Sequence, residues 1–297
     1  VSATVHFFRE YKAQAEGLAA RLSIGCERVS VRCFPDGESL VRVGETASTA
    51  LVYCSLDRPD AKLVRLLLAA SALRDGGANR VALIAPYLGY MRQDRAFHHG
   101  EAVSQRVIGG LIASAFDALV TVDPHLHRTF SLEAVVPGIA AVNVSAAATI
   151  AQAIAPRIVP GTILVGPDGE SRPWVEAVAA PLGLDVMIGE KVRHGDRKVE
   201  LAFSNISRVA GLPVMLVDDL ISSGSTLIAC ADQLRMAGAA AVAAVATHCL
   251  ASEADLAALA ASGIAPVLAT DTVPGPVAAI SMATTLAGAI RQTALIP

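Results

Sequence analysis

Chemistry in this chain concentrates first in Val214-Met215-Leu216-Val217-Asp218-Asp219-Leu220-Ile221-Ser222-Ser223-Gly224-Ser225-Thr226. Four apolar residues are too few for a helix and read as a buried strand ending at Val217, while Leu227, Cys230, Ala231 and Leu234 fall at helical spacing beyond a small-residue turn. N–H groups left free at a helix start bind a phosphate dianion. Here they are joined by the hydroxyls of Ser222, Ser223, Ser225 and Thr226, and Gly224 lets the backbone approach a ligand. Carboxylates do not bind an anion, so Asp218 and Asp219 are expected to accept hydrogen bonds from sugar hydroxyls, with the phosphate held further round the loop. Together they describe a phosphosugar site.

Other strand ends carry polar groups of matching character. Pro86-Tyr87-Leu88-Gly89-Tyr90-Met91-Arg92-Gln93-Asp94-Arg95 leaves an apolar run, and its arginines, glutamine and tyrosines suit a polyphosphate or a base. Thr121-Val122-Asp123-Pro124-His125-Leu126-His127 leaves another. No zinc-type spacing surrounds its histidines, so they are either structural or within reach of a magnesium-bound nucleotide. Gly166-Pro167-Asp168-Gly169-Glu170-Ser171-Arg172 ends a strand and opens a helix, offering N–H groups and Arg172 to a diphosphate and Asp168 to a cation. The polar stretch 190–198 reads as a loop between strands. It is either a solvated hairpin or a mobile basic loop suited to phosphoryl transfer. Cys33-Phe34-Pro35-Asp36-Gly37-Glu38 reads as a hairpin turn before an alternating strand. Residues 97–104 open a helix capped by Glu101 or Ser104, with His98 and His99 on the surface.

Positioning these groups requires strands that end where the polar loops begin. Apolar runs alternate with helical patterns throughout, which predicts α/β architecture with mostly parallel sheets flanked by helices. The order repeats: 4–8 then 12–22 resembles 162–166 then 174–182, and 50–55, a helix over 59–74 and 81–85 resemble 213–217, a helix to Met236 and 242–246. An offset of about 160 residues is far too long for a solenoid and indicates domain duplication. We expect domains over 1–144 and 145–297, with a last helix over 278–291 packing back on the first. Only the second copy keeps the phosphate loop; the first has Ser55-Leu56-Asp57-Arg58-Pro59-Asp60-Ala61 there.

At 297 residues, 53% hydrophobic and 17% charged with net charge -3, the chain reads as globular and lacks the basic surplus of a general nucleic-acid binder. The apolar region 237–269 is broken by His248, Glu253 and Asp255, so no transmembrane helix is expected. The first ten residues lack a basic segment followed by an apolar run, so no signal peptide is expected and the cytoplasm is the predicted location. Cys26, Cys33, Cys54, Cys230 and Cys249 are odd in number and scattered, as core thiols in a reducing compartment are.

Taken together, these stretches resemble the ribose-phosphate diphosphokinase, or phosphoribosyl diphosphate (PRPP) synthetase, family over nearly the whole chain. The resemblance implies two type I phosphoribosyltransferase-like domains. It also implies transfer of the diphosphoryl group of ATP to the anomeric hydroxyl of ribose 5-phosphate, with Mg2+, giving PRPP and AMP. By the same resemblance Phe34, Asp36, Gly37 and Glu38 meet adenine from a neighbouring subunit, which makes the protein at least a homodimer, while Arg92, Gln93 and Asp94 hold the nucleotide. His125 and Asp168 match metal-associated positions. Lys191 and Arg193 match the basic pair of the catalytic loop. Asp218 and Asp219 with Ser222, Ser223, Gly224, Ser225 and Thr226 match the ribose 5-phosphate site.

Three departures accompany the match. Ser222 replaces an acid common in bacterial members, and the Ser-Ser-Gly-Ser form resembles archaeal-type members. Glu170-Ser171 replaces a Gly-Gly pair, and Val192 interrupts a basic triplet. Because of the first two, phosphate activation and ADP inhibition are not carried over, and the third leaves both Lys191 and Arg193 in place. Two rival readings are a regulatory homologue without activity, which has no need of the basic loop, and a PRPP-consuming phosphoribosyltransferase, which leaves the duplication and the Arg92-Gln93 stretch unexplained.

Overall fold

A computed structural model describes residues 2–126, 129, 131–194 and 198–296, with the side chains of 191–194 and 198–201 outside the description. The chain divides into two compact units, one of 1–145, 272–274 and 281–297 and the other of 146–271 and 275–280.

The first unit runs β1 (Ala3–Phe7), α1 (Lys12–Leu22), β2 (Gly25–Arg28), β3 (Ser30–Cys33), β4 (Ser39–Arg42), β5 (Thr49–Tyr53), α2 (Asp60–Asp75), β6 (Arg80–Ile84), α3 (Ser104–Ala115), β7 (Ala118–Val122), α4 (Leu132–Val135) and β8 (Ala140–Val144). Its sheet has the order β2-β1-β5-β6-β7-β8, and every pair in it is parallel. Parallel strands covered on both faces must be apolar throughout, and all five residues of both β5 and β7 are buried. β3 and β4 form a separate antiparallel hairpin.

The second unit runs α5 (Ala147–Ile154), β9 (Ile163–Gly166), α6 (Arg172–Ala179), β10 (Asp185–His194), β11 (Lys198–Phe203), β12 (Pro213–Ile221), α7 (Ser225–Met236), β13 (Ala241–Cys249), α8 (Glu253–Ala261), β14 (Ile264–Thr270) and β15 (Ala278–Ile280). Its sheet has the order β11-β10-β9-β12-β13-β14-β15, antiparallel only at β10 and β11. Without β11, both sheets follow one order: second strand, first, third, fourth, fifth, sixth. In the first unit a separate hairpin, β3–β4, follows the second strand, whereas in the second unit the second strand, β10, itself pairs with β11 as a hairpin. The core of the second unit gathers Ile163, Val165, Leu216 and Ile264 from strands with Leu227, Leu234 and Leu259 from helices. Chain segment 281–297 belongs to the first unit, where α9 (Ala283–Gln292) packs on α1 and β8, and the Arg291 guanidinium donates to the Arg21 carbonyl.

Three sequence expectations need correction. β12 does not end at Val217 but runs to Ile221, because its pairing with β13 continues to Ile221 opposite Cys249. Asp218 and Asp219 are therefore strand residues. The stretch 190–198 is mostly paired strand, with Lys191 opposite Leu201 and Arg193 opposite Val199; residues 195–197 lie outside the described residues. The stretch 278–291 is not one helix, since Ala278–Ile280 joins the sheet edge as β15 and helix begins at Ala283.

Candidate active site

Ligands of open parallel sheets gather beyond the carboxyl ends of the strands. In the second unit, β12 delivers Asp218 and Asp219 to that edge and the chain turns through Ser222 and Ser223 into α7. Gly224 is the N-cap, at φ 76°. A Cβ there would lie 2.8 Å from the Leu259 side chain, so the position needs glycine both for its backbone and for its space. The N-cap glycine offers α7 no side-chain cap, the Ser225 N–H reaches the Ser223 hydroxyl at 3.5 Å, and Ser222, Ser223, Ser225 and Thr226 are all exposed. Leu227, Cys230, Ala231 and Leu234 form the buried face of α7.

The carboxylates of this edge are crowded. The Asp218 carboxyl is pushed well above the usual carboxylate range by burial, then by the charges of Asp219 and Asp168. Burial, followed by Asp218 and Asp168, also pushes up the Cys230 thiol on α7. Asp168 therefore shares an electrostatic neighbourhood with Asp218. It also has a structural duty: its Oδ1 accepts from the N–H groups of Glu170 at 3.0 Å and Ser171 at 3.2 Å, capping the turn into α6. Arg172 pairs with Glu176 at 3.2 Å and lines a groove of about 370 Å³ with Glu190 and Arg208. Arg172, expected from the sequence to face a diphosphate, makes a surface ion pair here. The side chains of Lys191 and Arg193 lie outside the described residues, and only their strand backbone in β10 is placed.

In the first unit, the loops after β6 and β7 enclose a cavity of about 260 Å³ lined by Tyr87, Tyr90, Met91, Arg92, Gln93, Ser104 and His125. Arg92, Gln93 and His125, separated in sequence, are thus brought to one wall. His127 lies outside the described residues. Arg58, Tyr90 and Asp123, at the ends of three neighbouring strands, have φ of 46°, 66° and 36°. Left-handed backbone in non-glycine residues costs about 1–3 kcal/mol each and clusters at functional sites.

The α3 start differs from expectation. Its N-cap is Val103, without a side-chain hydrogen bond. Glu101 instead accepts from the N–H groups of Phe97 at 2.7 Å and His98 at 3.1 Å, and the Ser104 hydroxyl donates to Gln93 Oε1 at 2.6 Å. Gln105 went unread in the sequence. It is buried, donates from Nε2 to the Met91 carbonyl at 3.3 Å, and accepts from the Thr129 hydroxyl at 2.7 Å, tying the Arg92 segment to the chain beyond His125. Its signal was available: Gln105 shares the buried face of α3 with Gly109 and Ile112, and a polar side chain on such a face needs a partner.

Phe34, Asp36, Gly37 and Glu38 form the tip of the β3–β4 hairpin, closed by Phe34 N–H to the Glu38 carbonyl at 2.8 Å and Glu38 N–H to Asp36 Oδ1 at 3.1 Å. Phe34 is exposed and carries the Arg32 guanidinium 5.3 Å from its ring centre. Among the described residues, no group of three or more His, Cys, Asp or Glu side chains is disposed to hold a metal ion. An Mg2+ ion bound through one or two protein groups, substrate phosphates and water requires no such group. No described helix is long and apolar enough to cross a membrane.

Residues 5–115 match the family described as the N-terminal domain of ribose phosphate pyrophosphokinase, and residues 183–292 match the phosphoribosyl synthetase-associated domain. A ribose-phosphate pyrophosphokinase of Methanopyrus kandleri is 37% identical over 93% of this chain and 94% of its own. That of Pyrococcus furiosus is 34% identical over 86% and 89%. The crystal structure of phosphoribosylpyrophosphate synthetase from Mycobacterium smegmatis aligns with a TM-score of 0.85 at 26% identity, covering 99% of both chains.

Proposed function

The chain belongs to the ribose-phosphate pyrophosphokinase family, and from that premise we propose how its residues divide the reaction. That reaction transfers the diphosphoryl group of ATP to the anomeric hydroxyl of ribose 5-phosphate. The hydroxyl oxygen bonds to the β-phosphorus, the bond from that phosphorus to the α-phosphate bridging oxygen breaks, AMP leaves and the hydroxyl proton is released.

The observation that carries the division is the unequal fate of two equivalent loops: after β12 the chain presents the exposed hydroxyls of Ser222, Ser223, Ser225 and Thr226 at the start of α7, whereas the loop after β5 has one hydroxyl residue, Ser55, which is buried and whose carbonyl accepts from Lys62. The second unit holds ribose 5-phosphate. Its phosphate lies on the N–H groups and hydroxyls of residues 222–226, and Asp218 and Asp219 orient the ribose hydroxyls. The first unit holds ATP, with Arg92 and Gln93 on the phosphates, Asp94 beside them and His125 at the same cavity. Phe34, Asp36, Gly37 and Glu38 reach adenine of a neighbouring subunit, so the protein works as a homo-oligomer of at least two chains.

An anomeric hydroxyl is a poor nucleophile against a multiply charged phosphorus. Catalysis is therefore alignment and charge neutralisation more than proton transfer. Lys191 and Arg193, adjacent on alternate positions of β10, bring cations to the diphosphoryl group as charge develops on it. Within the second unit, Asp168 and Asp218, whose mutual repulsion a cation relieves, suit Mg2+. Within the first unit, His125 at the cavity wall is a separate metal-associated position. Mg2+ when bound supplies further positive charge to the phosphates. The free thiols Cys26, Cys33, Cys54, Cys230 and Cys249 support a reducing, cytoplasmic location.

The test is the purified protein with ATP, Mg2+ and ribose 5-phosphate, scored for AMP and PRPP. We expect one AMP per PRPP. No AMP under any divalent metal or phosphate concentration would return the protein to the regulatory reading.

A further inference from the structure

The loop after β5 occupies the place that the phosphosugar loop takes in the second unit, and its polarity is reversed. Lys62, in the first turn of α2, donates to the Ser55 carbonyl at 3.1 Å, to Asp57 Oδ1 at 2.7 Å and to the Asp57 carbonyl. The Tyr11 hydroxyl donates to the same Ser55 carbonyl at 2.8 Å, and the ammonium lies 5.4 Å from the Tyr11 ring centre. One loop offers exposed hydroxyls at a helix start, a setting that suits an anion. Its counterpart converges carbonyls and a carboxylate on an internal cation, with the Lys62 and Asp57 side chains only 14% and 22% exposed.

That loop is the bed on which the wall of the first-unit cavity lies. Leu56 N–H donates to the Tyr87 carbonyl at 2.8 Å, and Tyr87 N–H donates to the Ser55 hydroxyl at 3.2 Å. The Ser55 hydroxyl donates onward to the Thr272 carbonyl, and the Tyr90 hydroxyl donates to the Asp60 carboxylate. Gly89 lies so close that a Cβ would run into the Leu56 carbonyl oxygen. The chain then continues directly into Arg92 and Gln93.

We propose that Lys62 is a positioning residue for the nucleotide: its ammonium holds loop 55–60 in the shape that seats residues 87–90 and so sets Arg92 and Gln93. The duplicated phosphate loop of the first unit has thus become an internal buttress. Without the ammonium, the Ser55 carbonyl and the Asp57 carboxylate keep the Tyr11 hydroxyl as their shared donor, at 2.8 and 3.3 Å, while the Asp57 carbonyl loses its Lys62 donor, and the loop relaxes away from the wall. This rests on assigning the first-unit cavity to ATP.

The experiment measures KM for ATP, KM for ribose 5-phosphate, kcat and the thermal midpoint in Lys62→Met, Lys62→Arg, Tyr11→Phe and Arg92→Ala. Lys62→Met keeps the apolar stem and is expected to raise the ATP KM about tenfold while the ribose 5-phosphate KM stays within about twofold. Lys62→Arg, which restores a cation, is expected to recover the ATP KM to within about threefold of the parent, and Tyr11→Phe to raise it about threefold. An unchanged ATP KM in Lys62→Met, or an equal rise in both KM values, overturns the proposal. Should Lys62→Met fail to fold, an unchanged ATP KM in Tyr11→Phe does so instead. Arg92→Ala separates the two levels. If it raises the ATP KM while Lys62→Met does not, only the buttress falls; if Arg92→Ala leaves it unchanged, the cavity assignment falls and the buttress with it.

Discussion

Asp219 donates its backbone N–H to Oδ1 of Asp218 at 3.0 Å. The bond fixes the Asp218 carboxyl over its own strand, where burial and the charges of Asp219 and Asp168 raise its pKa. A carboxyl whose pKa is raised by folding opposes the fold once ionised, so at neutral pH Asp218 costs stability. Asp218→Asn is therefore expected to raise the thermal midpoint. It is also expected to raise the ribose 5-phosphate KM by about one to two powers of ten, the worth of a hydrogen bond to a charged group. A lower midpoint would show that the carboxylate is held by attraction rather than repulsion; an unchanged KM would remove it from the ribose.

Lys191 belongs to the transition state in the proposed division, since its neighbours on β10 and β11 already satisfy the local backbone by strand pairing. Lys191→Ala is expected to lower kcat by about two to four powers of ten, in line with the loss of a preorganised donor at a developing charge. The thermal midpoint should stay within a few degrees. A kcat change under threefold, read as AMP release, would exclude the role.

Gly224 joins the fold of the second unit to its ligand loop. Its φ of 76° and the 2.8 Å approach of Leu259 to a Cβ make Gly224→Ala strained twice over. The left-handed backbone alone costs about 1–2 kcal/mol for an L side chain. We expect that loss in chemical denaturation, together with a raised ribose 5-phosphate KM and an unchanged ATP KM. An ATP KM that rises equally would tie the loop to both substrates.

Local pattern was enough for elements whose limits are set locally. The sequence period over 12–22 coincides with α1, and the apolar spacing of Leu227, Cys230, Ala231 and Leu234 coincides with the buried face of α7. It failed where a distant strand decided the outcome. β12 extends through two carboxylates because β13 lies alongside to pair with it, and Ala278–Ile280 becomes strand because β14 offers an edge. The polar residues 190–194 and Lys198 are strand for the same reason. The candidate site residues read from the sequence lie at strand ends, where parallel sheets place ligands. Lys62 and Gln105 were not legible, because each acquires meaning only from carbonyls and side chains that folding brings beside it.

The core of the first unit also predicts a pH dependence. His6, in the middle of β1, is fully buried between β2 and β5, and neither ring nitrogen has a hydrogen-bond partner. Burial lowers its pKa from 6.5 to about 4. Between those values the unfolded chain takes up a proton that the native ring refuses, so stability is fully present above the unfolded value and declines as pH falls through the window. From pH 7.5 to pH 4.5 the loss from His6 is expected to be about 2–3 kcal/mol. Denaturant titrations at both pH values should show that difference shrink by this amount in His6→Leu, which fills the site without a titrating ring. An identical loss in parent and variant would place the acid sensitivity elsewhere in the chain.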